Sequence, residues 1–496
     1  MSDDASDADF LGRLRPRATY ALGTWAYLRL LGLVHLIAFV DFGLQLPGLI
    51  GGRGLLPVKE RLAAYAEGDL GFWELPTLAW WGASNTELHL LWIVGAACAL
   101  ALMLGWLPRL MVALCFLFYL SLQKAGGPFM AYQWDLLLLE ASVVAIALAP
   151  WRREPLKTRT GEGPRDPHRL VWAAHAFLFG RLMFASGVVK LASGDPDWAS
   201  LGAMDLHYWT QPLPNPLSPL VHSLPHWVHA TSVITVFVIE LGFPLLLLVR
   251  GWPRRVGAIG LLALQVLIAL TGNFGFFNLL SAAMALPLLD DEWLRTWRFI
   301  GERPGRAERR PARAPTLLLA AATLALGAVP LFGTLFGYQS LPQPVLEATH
   351  AIGRFGPGTG YGLFADMTDD RIEWIYEGTT DGRTWEPYAL PYQPGDLDRH
   401  PGQAAPRMPR LDWSLWFAAL GSPSHQKVAR ELQGALQRAE PSVLDLLAHD
   451  PFDGETPRAV QVRRFRYRFA DDPDERDVTA ATIRGETWRR TPVSRP

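Results

Sequence analysis

A bilayer core about 30 Å thick needs about 20 apolar residues for each helix that crosses it. This chain of 496 residues supplies nine runs at or near that length: 24–45, 87–105, 107–123, 130–149, 169–191, 226–249, 255–272, 274–289 and 315–337. The third and eighth are short, and Arg109 marks a tight turn before the third. Nearly uncharged runs crowd residues 20–337 and are missing from residues 338–496, so the chain divides into a membrane half, 1–337, and a soluble half, 338–496. The predicted fold class is a polytopic α-helical membrane domain of about nine helices followed by a soluble, strand-rich α+β domain. Lys and Arg total 46 against 47 Asp and Glu, a balance that gives no electrostatic case for a nucleic-acid partner.

Basic residues are enriched in loops that stay in the cytoplasm. Arg13, Arg15 and Arg17 precede the first run, Arg109 precedes the third, and Arg152, Arg153, Lys157, Arg159, Arg165 and Arg169 follow the fourth. Arg250, Arg254 and Arg255 follow the sixth, and seven arginines from Arg295 to Arg313 follow the eighth. Every second loop is basic. Residues 192–225 and Gly272 to Gly275 carry no Lys or Arg, although Arg53, Lys59 and Arg61 sit among acids in the first such loop. The expected protein is multi-pass in a cell membrane, the inner membrane in a bacterial cell, with its N-terminus cytoplasmic and its soluble half extracytoplasmic. The acidic MSDDASDADF lacks the basic start of a cleavable signal, so the first apolar helix is expected to remain as an anchor.

In the soluble half, RIEWIYEGTTDGRTWEPYAL alternates on both sides of Asp381-Gly382 and predicts a hairpin. VQVRRFRYRFA predicts a strand, whereas Ser424 to Arg438 and Val443 to His449 predict helices, with Ser422 or Ser424 as N-cap. Both cysteines, Cys98 and Cys115, lie in apolar runs, so the soluble half holds no disulfide.

The stretch FASGVVKLASGDPDWASLGAMDLHYWTQPLPNPL, Phe184 to Leu217, is the candidate site, because a long polar and aromatic loop between apolar helices costs entropy unless it positions something. Asp41, Gln133, Asp135, Lys190 and Asn273 fall near the same ends of their helices. With Asp195, Asp197, His207, Gln211 and Asn215 they could form an outward-facing polar pocket. Lys190 is the sharpest of them: at the edge of a low-dielectric region it can act as a base with Asp135 as partner, or it can snorkel or simply pair with Asp135. Deeper down, Glu140, Arg181 and Glu240 suggest one cation between two anions, either a buried structural group or part of a proton or ion path. A transporter built on that trio would be expected to show an internal repeat, and none is visible. His222, His226 and His229 lack metal geometry because Pro225 interrupts their alignment, and neither a metal nor a cofactor is implied. Trp134, Trp198, Trp209 and Trp227 fit an interfacial aromatic belt. GxSxG, Walker and HExxH motifs are all missing.

GPFMAYQWDLLLLE (Gly127 to Glu140), FGRLMFASGVVKLASGDPDW (Phe179 to Trp198), TQPLPNPLSPLVHSLP (Thr210 to Pro225) and TGNFGFFNLLS (Thr271 to Ser281) closely resemble the lipase maturation factor family. RIEWIYEGTTDGRTWEPY, RLDWSLWFAAL (Arg410 to Leu420) and PSVLDLLAHDPFDGETPRAVQVRRFRYRFA are similar to that family's C-terminal domain. In animals such proteins are multi-pass in the endoplasmic reticulum, with a lumenal domain that helps secreted lipases fold. The resemblance implies a bacterial-type folding and assembly factor, a chaperone for exported proteins, whose partners are membrane lipids and a client that could be a lipase. It supplies no catalytic residues, and the cysteine-free outer half offers no thiol chemistry. A fainter resemblance links VVKLASGDPDW to vitamin K-dependent carboxylase-like membrane proteins and would place Lys190 as a basic lysine. The alternative expectation is therefore an integral membrane enzyme acting on a lipid or quinone-like molecule, with Lys190 as base.

Overall fold

The computed structural model describes residues 18–153, 164–296, 313–470 and 486–493. From the N-terminal side, α1 (Ala21–Ile50) leads through a short surface helix, α2 (Val58–Glu67), to α3 (Asn85–Met103), α4 (Pro108–Gly126), α5 (Gln133–Leu148) and α6 (Arg169–Ala192). A short helix in the next loop, α7 (Ala203–Thr210), precedes α8 (His226–Leu246), α9 (Trp252–Thr271), α10 (Phe277–Ala285) and α11 (Ala314–Phe336).

All nine expected runs form helices. Among the described residues seven of them, α1, α3, α4, α6, α8, α9 and α11, are long and apolar enough to cross a membrane. The two short members are α5, with 16 residues, and α10, with 9. The third run, expected to be short, has 19 residues and continues through a 3-10 turn to Met130. The fourth is shortened because Met130 to Tyr132 go to that turn and the N-cap.

The loops with basic residues meet at one end of the bundle. Asp291 accepts from the backbone of Leu22 (2.8 Å) and the hydroxyl of Thr19 (2.6 Å), satisfying the free donors at the start of α1. Arg254 donates to the Tyr20 hydroxyl (2.6 Å), and Arg255 pairs with Asp290 (2.5 Å). Arg109 donates to the carbonyls of Ala147 (3.1 Å) and Ala149 (2.9 Å), capping the end of α5. Of the charges behind the expected orientation, Arg13, Arg15, Arg17, Lys157, Arg159 and the arginines at 298, 303, 306, 309 and 310 lie outside the described residues.

Close backbone approach sets the packing of α1. A Cβ on Gly32 would lie 2.7 Å from the Met103 nitrogen, so only glycine lets α1 and α3 come this near. A Cβ on Gly48 would strike the carbonyl of Ser442, which places the far end of α1 directly beneath the soluble half.

That half begins with α12 (Gln343–Gly353) and carries one antiparallel sheet of β1 (Arg371–Thr379), β2 (Glu386–Pro387), β3 (Ala459–Phe469) and β4 (Trp488–Pro492), in the order β2-β1-β3-β4. The expected hairpin is present: Gly382 takes φ +77°, and the Asp381 carboxylate accepts from the backbone of Arg383 (2.7 Å) and Thr384 (2.8 Å). β1 pairs with β3 in continuous register from Arg371 opposite Tyr467 to Thr379 opposite Ala459. Helices α13 (Arg410–Ala419) and α14 (Pro423–Gln437) cover it. Ser422 stands at the N-cap of α14, and Val428, Leu432, Ala435 and Leu436 form its buried stripe at helical spacing. The helix expected over Val443 to His449 is not formed; only Pro441–Leu444 is helical. Beyond it Ala448 and His449 bond the backbone of Ala389 (2.8 and 3.1 Å), which draws the chain into a bridge.

Asp412 in α13 is buried, and its carboxylate accepts from the backbone of Tyr392 (2.8 Å) and Gln393 (3.1 Å). Burial outweighs those hydrogen bonds and lifts the carboxyl to about 7. The folded state therefore holds this proton more tightly than the unfolded chain, in which an aspartate titrates near about 4. Its contribution is fully present below that value and is lost as pH rises towards 7. Asp412→Asn is expected to raise the melting temperature at pH 8 and leave it unchanged at pH 4, as read by thermal unfolding in one detergent.

Candidate functional site

Most of the predicted polar residues converge where the end of the bundle meets the soluble half. They do so as a buried seam rather than as an open pocket. The Asp41 carboxylate accepts from the backbone of Met408 (2.8 Å) and from Arg407 (3.4 Å). One turn along α1, Gln45 donates to the Met408 carbonyl (2.9 Å) and accepts from the Arg410 backbone (2.8 Å). Asn273 accepts from the backbone of Ala404 (2.9 Å) and Ala405 (3.0 Å) and donates to Gly402 (2.8 Å). Gln133 exchanges two hydrogen bonds with the Gly362 backbone (3.1 and 3.3 Å). Apart from the Arg407 contact, these four side chains bond main chain of the other half, so they hold its path through the backbone.

Its strongest member is an ion pair. Arg410 grips Asp135 through two parallel bonds of 2.6 and 2.8 Å, and both side chains are completely buried. Tyr119 donates to the same carboxylate (2.6 Å) and Arg410 to the Phe129 carbonyl (2.9 Å). A second cation, Arg371 of β1, pairs with Glu373 (2.7 Å) and donates to the carbonyls of Gln211 (2.5 Å) and Pro212 (3.0 Å). Arg371 thereby locks the candidate loop from above. The sequence reading missed both arginines, since one begins an aromatic helix and the other a strand, places where a solvated cation is ordinary. The signal for Arg410 was its position directly before LDWSLWF, with no exposed face left for it.

The remaining predicted residues sort differently. Asp195 caps the turn Pro196–Ala199 and also accepts from the Met367 backbone. Asp197 is half-exposed, and its carboxyl is pushed up by burial and by Asp195, Asp369 and Asp205. Gln211 and Asn215 serve the loop itself: Gln211 donates to the Thr271 carbonyl (2.9 Å) and Asn215 to Leu270 (2.8 Å). His207 points into a cavity described below. His226 meets Asp205 (2.8 Å), and His229 meets the Leu224 carbonyl (2.9 Å).

The expected pairings deep in the bundle are corrected. Glu140 pairs with Arg181 (2.6 Å), but Glu240 pairs with Lys190 (2.8 Å), so there is no trio and Asp135 is not the partner of Lys190. A π-helical turn at Val238–Gly242 accounts for this, because Pro244 has no N–H for the Glu240 carbonyl and the widened turn swings the Glu240 side chain toward α6. Lys190 has its three donors on Ser186 (3.1 Å) and on both oxygens of Glu240 (3.1 and 2.8 Å). A lysine held in this way has all three of its donors occupied. Lys190→Met is expected to lower stability by about 3–5 kcal/mol by stranding Glu240, and Lys190→Met with Glu240→Leu to restore most of it, measured as melting of the solubilised protein.

The tryptophan expectation is corrected as well. Trp134, Trp198 and Trp209 are buried against the soluble half, with Trp134 4.8 Å from Trp413 between ring centres, and of the four only Trp227 is exposed. Their position at helix ends looked interfacial because a protein surface, rather than lipid headgroups, covers those ends.

Both halves of this seam are matched by known families, in order. A model of the lipase maturation factor transmembrane domain covers residues 22–296, and one of the lipase maturation factor C-terminal domain covers residues 358–495. The chain belongs to the lipase maturation factor family. It is 31% identical to lipase maturation factor 2 of Homo sapiens, covering 92% of this chain and 79% of that protein. It is 32% identical to lipase maturation factor 2 of Mus musculus (89% and 79%) and 30% identical to lipase maturation factor 1 of Homo sapiens (91% and 84%). No solved structure matches. The family models leave α11 between them, although α11 reaches into the ion-pair network: its Gly327 carbonyl accepts from Arg181 (3.1 Å).

Proposed function

We propose that this protein is a membrane-embedded maturation factor that helps an exported polypeptide, a lipase in the first instance, reach its active fold. The observation that carries this reading is the buried Arg410–Asp135 pair, which ties the half able to meet a client rigidly to the membrane half. Family membership supplies the client class, since the relatives named above are called lipase maturation factors. In this reading the basic end of the bundle faces the cytoplasm and the seam and soluble half face the extracytoplasmic side of the cell membrane, in accord with the loop arginines. The polar residues Asp41, Gln133, Asp135 and Asn273 then hold the platform in place, and Lys190 is a structural cation.

The test uses the full-length protein in its own cells. A photo-reactive amino acid is placed on the exposed face of α14, at Lys427 or Glu431, while a secreted lipase is being exported. Adducts between the two chains during export, and none with mature enzyme added from outside, are expected. Equal labelling of mature enzyme, or of none, contradicts a maturation role.

A further inference from the structure

A cavity of about 550 Å³ lies between α6, α8 and α9, beside the Lys190–Glu240 pair. That size falls within the roughly 300–1,000 Å³ of sites that take one small ligand. Its walls are apolar and include Leu182, Met183, Val228, Leu264 and Ile268. It opens sideways at Trp227 and Leu267, which are 69% and 53% exposed on two helices that read as membrane spans. In a bilayer that opening faces acyl chains.

The inner end is polar and carries no net charge. Lys190, the one Lys or Arg lining the cavity among the described residues, is saturated by Ser186 and Glu240, while the Glu240 carboxylate keeps acceptor capacity. His207, 9% exposed, has no hydrogen-bond partner for its ring among the described residues and is framed by Phe364 (4.9 Å) and Phe274 (6.3 Å between ring centres). Burial and the nearby Lys190 push the imidazole down to about 4, so it is neutral at physiological pH and offers one donor and one acceptor. A nearly buried polar ring with no partner calls for one.

We propose that this cavity binds an uncharged single-chain acyl lipid with a hydroxylated head, such as a monoacylglycerol, entering from the bilayer. The chain lies along Met183, Leu264 and Ile268, and the head exchanges hydrogen bonds with His207 and the Glu240 carboxylate. A fatty-acid carboxylate or a phosphate would bring a charge to a site that has no free cation among the described residues, where it costs more than it gains. The proposal is independent of the maturation reading, and its test does not involve a client.

The experiment uses the purified full-length protein in nanodiscs and a monoacylglycerol with a diazirine in mid-chain, with adducts mapped by mass spectrometry. Labels are expected on residues of α6, α8 and α9 that face the cavity, with competition by monoolein and at least tenfold weaker competition by oleate at pH 8. Ser232→Trp on α8 and Ile268→Trp on α9, which fill the cavity from two sides, are each expected to cut cavity labelling about tenfold. His207→Phe is expected to weaken monoolein competition about fivefold with an unchanged melting temperature, since the ring makes no hydrogen bond among the described residues and phenylalanine can keep its aromatic contacts with Phe274 and Phe364. Labelling spread over the whole lipid-facing surface and indifferent to Ser232→Trp and Ile268→Trp overturns the site. Oleate competing as well as monoolein, or His207→Phe without effect, overturns the uncharged hydroxylated ligand.

Discussion

Arg410→Ala is expected to lower the stability of the protein by about 3–5 kcal/mol, because it leaves Asp135 as an unpaired charge in a site with no exposure at all. The loss goes beyond one contact. Arg410 also donates to the Phe129 carbonyl, so the start of α13 loses its side-chain hold on the turn before α5 and on α5 together, while Gln45 keeps the backbone N–H at this position. Limited proteolysis in membranes is expected to release the soluble half faster from Arg410→Ala than from the parent chain. Arg410→Lys should fall between, since an ammonium cannot make the two parallel bonds. The pair Arg410→Met with Asp135→Leu should recover most of the stability, which distinguishes a stranded charge from a lost contact.

Glu140→Ala carries the second large expected effect. The Glu140 carboxylate receives Arg181 (2.6 Å), the Tyr361 hydroxyl (2.6 Å) and the Gly358 backbone (3.3 Å), while Arg181 also donates to Gly327 of α11. The Glu140–Arg181 pair thus joins α5, α6, α11 and the segment that leads from the membrane into the sheet. Removing it strands Arg181, at a cost of about 3–5 kcal/mol. Tyr361→Phe, which deletes one hydrogen bond and leaves the ion pair, is expected to cost about 1 kcal/mol. The measurement is thermal melting of the solubilised variants, with Glu140→Gln expected between the two.

These two pairs also mark what could be read from the chain and what could not. The bundle was legible because lipid tolerates only long apolar helices, and all nine runs were visible as composition. The hairpin at Asp381-Gly382, the strand at Ala459–Phe469 and the amphipathic α14 were legible because period and turn chemistry are local. Asp41, Asp135, Glu140, Arg181, Lys190 and Glu240 were found as well, since an acid or base in an apolar run is conspicuous. Their partners were not found. Which of Asp135, Glu140 and Glu240 meets which cation depends on helix rotation and on the π turn at Val238–Gly242, and neither leaves a periodic signature. Arg371 was invisible, and Arg410 was marked only by the aromatic run after it, because both belong to the soluble half, where basic residues raise no question until a fold buries them. The loop from Phe184 to Leu217 was chosen for its odd composition, and much of that composition serves the seam and the loop's own turns: Asp195 on Met367, Gln211 and Pro212 under Arg371, Thr210 under the Trp416 indole (3.0 Å). Of the polar residues singled out in that stretch, Lys190 and His207 line the cavity, beside Ser186, Trp198, Met204 and Tyr208.

Whether this seam exists to mature another protein is tested most directly by the specific activity of a lipase secreted from the same cells, expressed as activity per amount of enzyme in the medium. Deleting the gene is expected to lower that specific activity several-fold; the parent chain should restore it and the Arg410→Ala chain, at matched membrane level, should not. Unchanged activity per amount of enzyme for every exported lipase in the deletion strain would contradict the account.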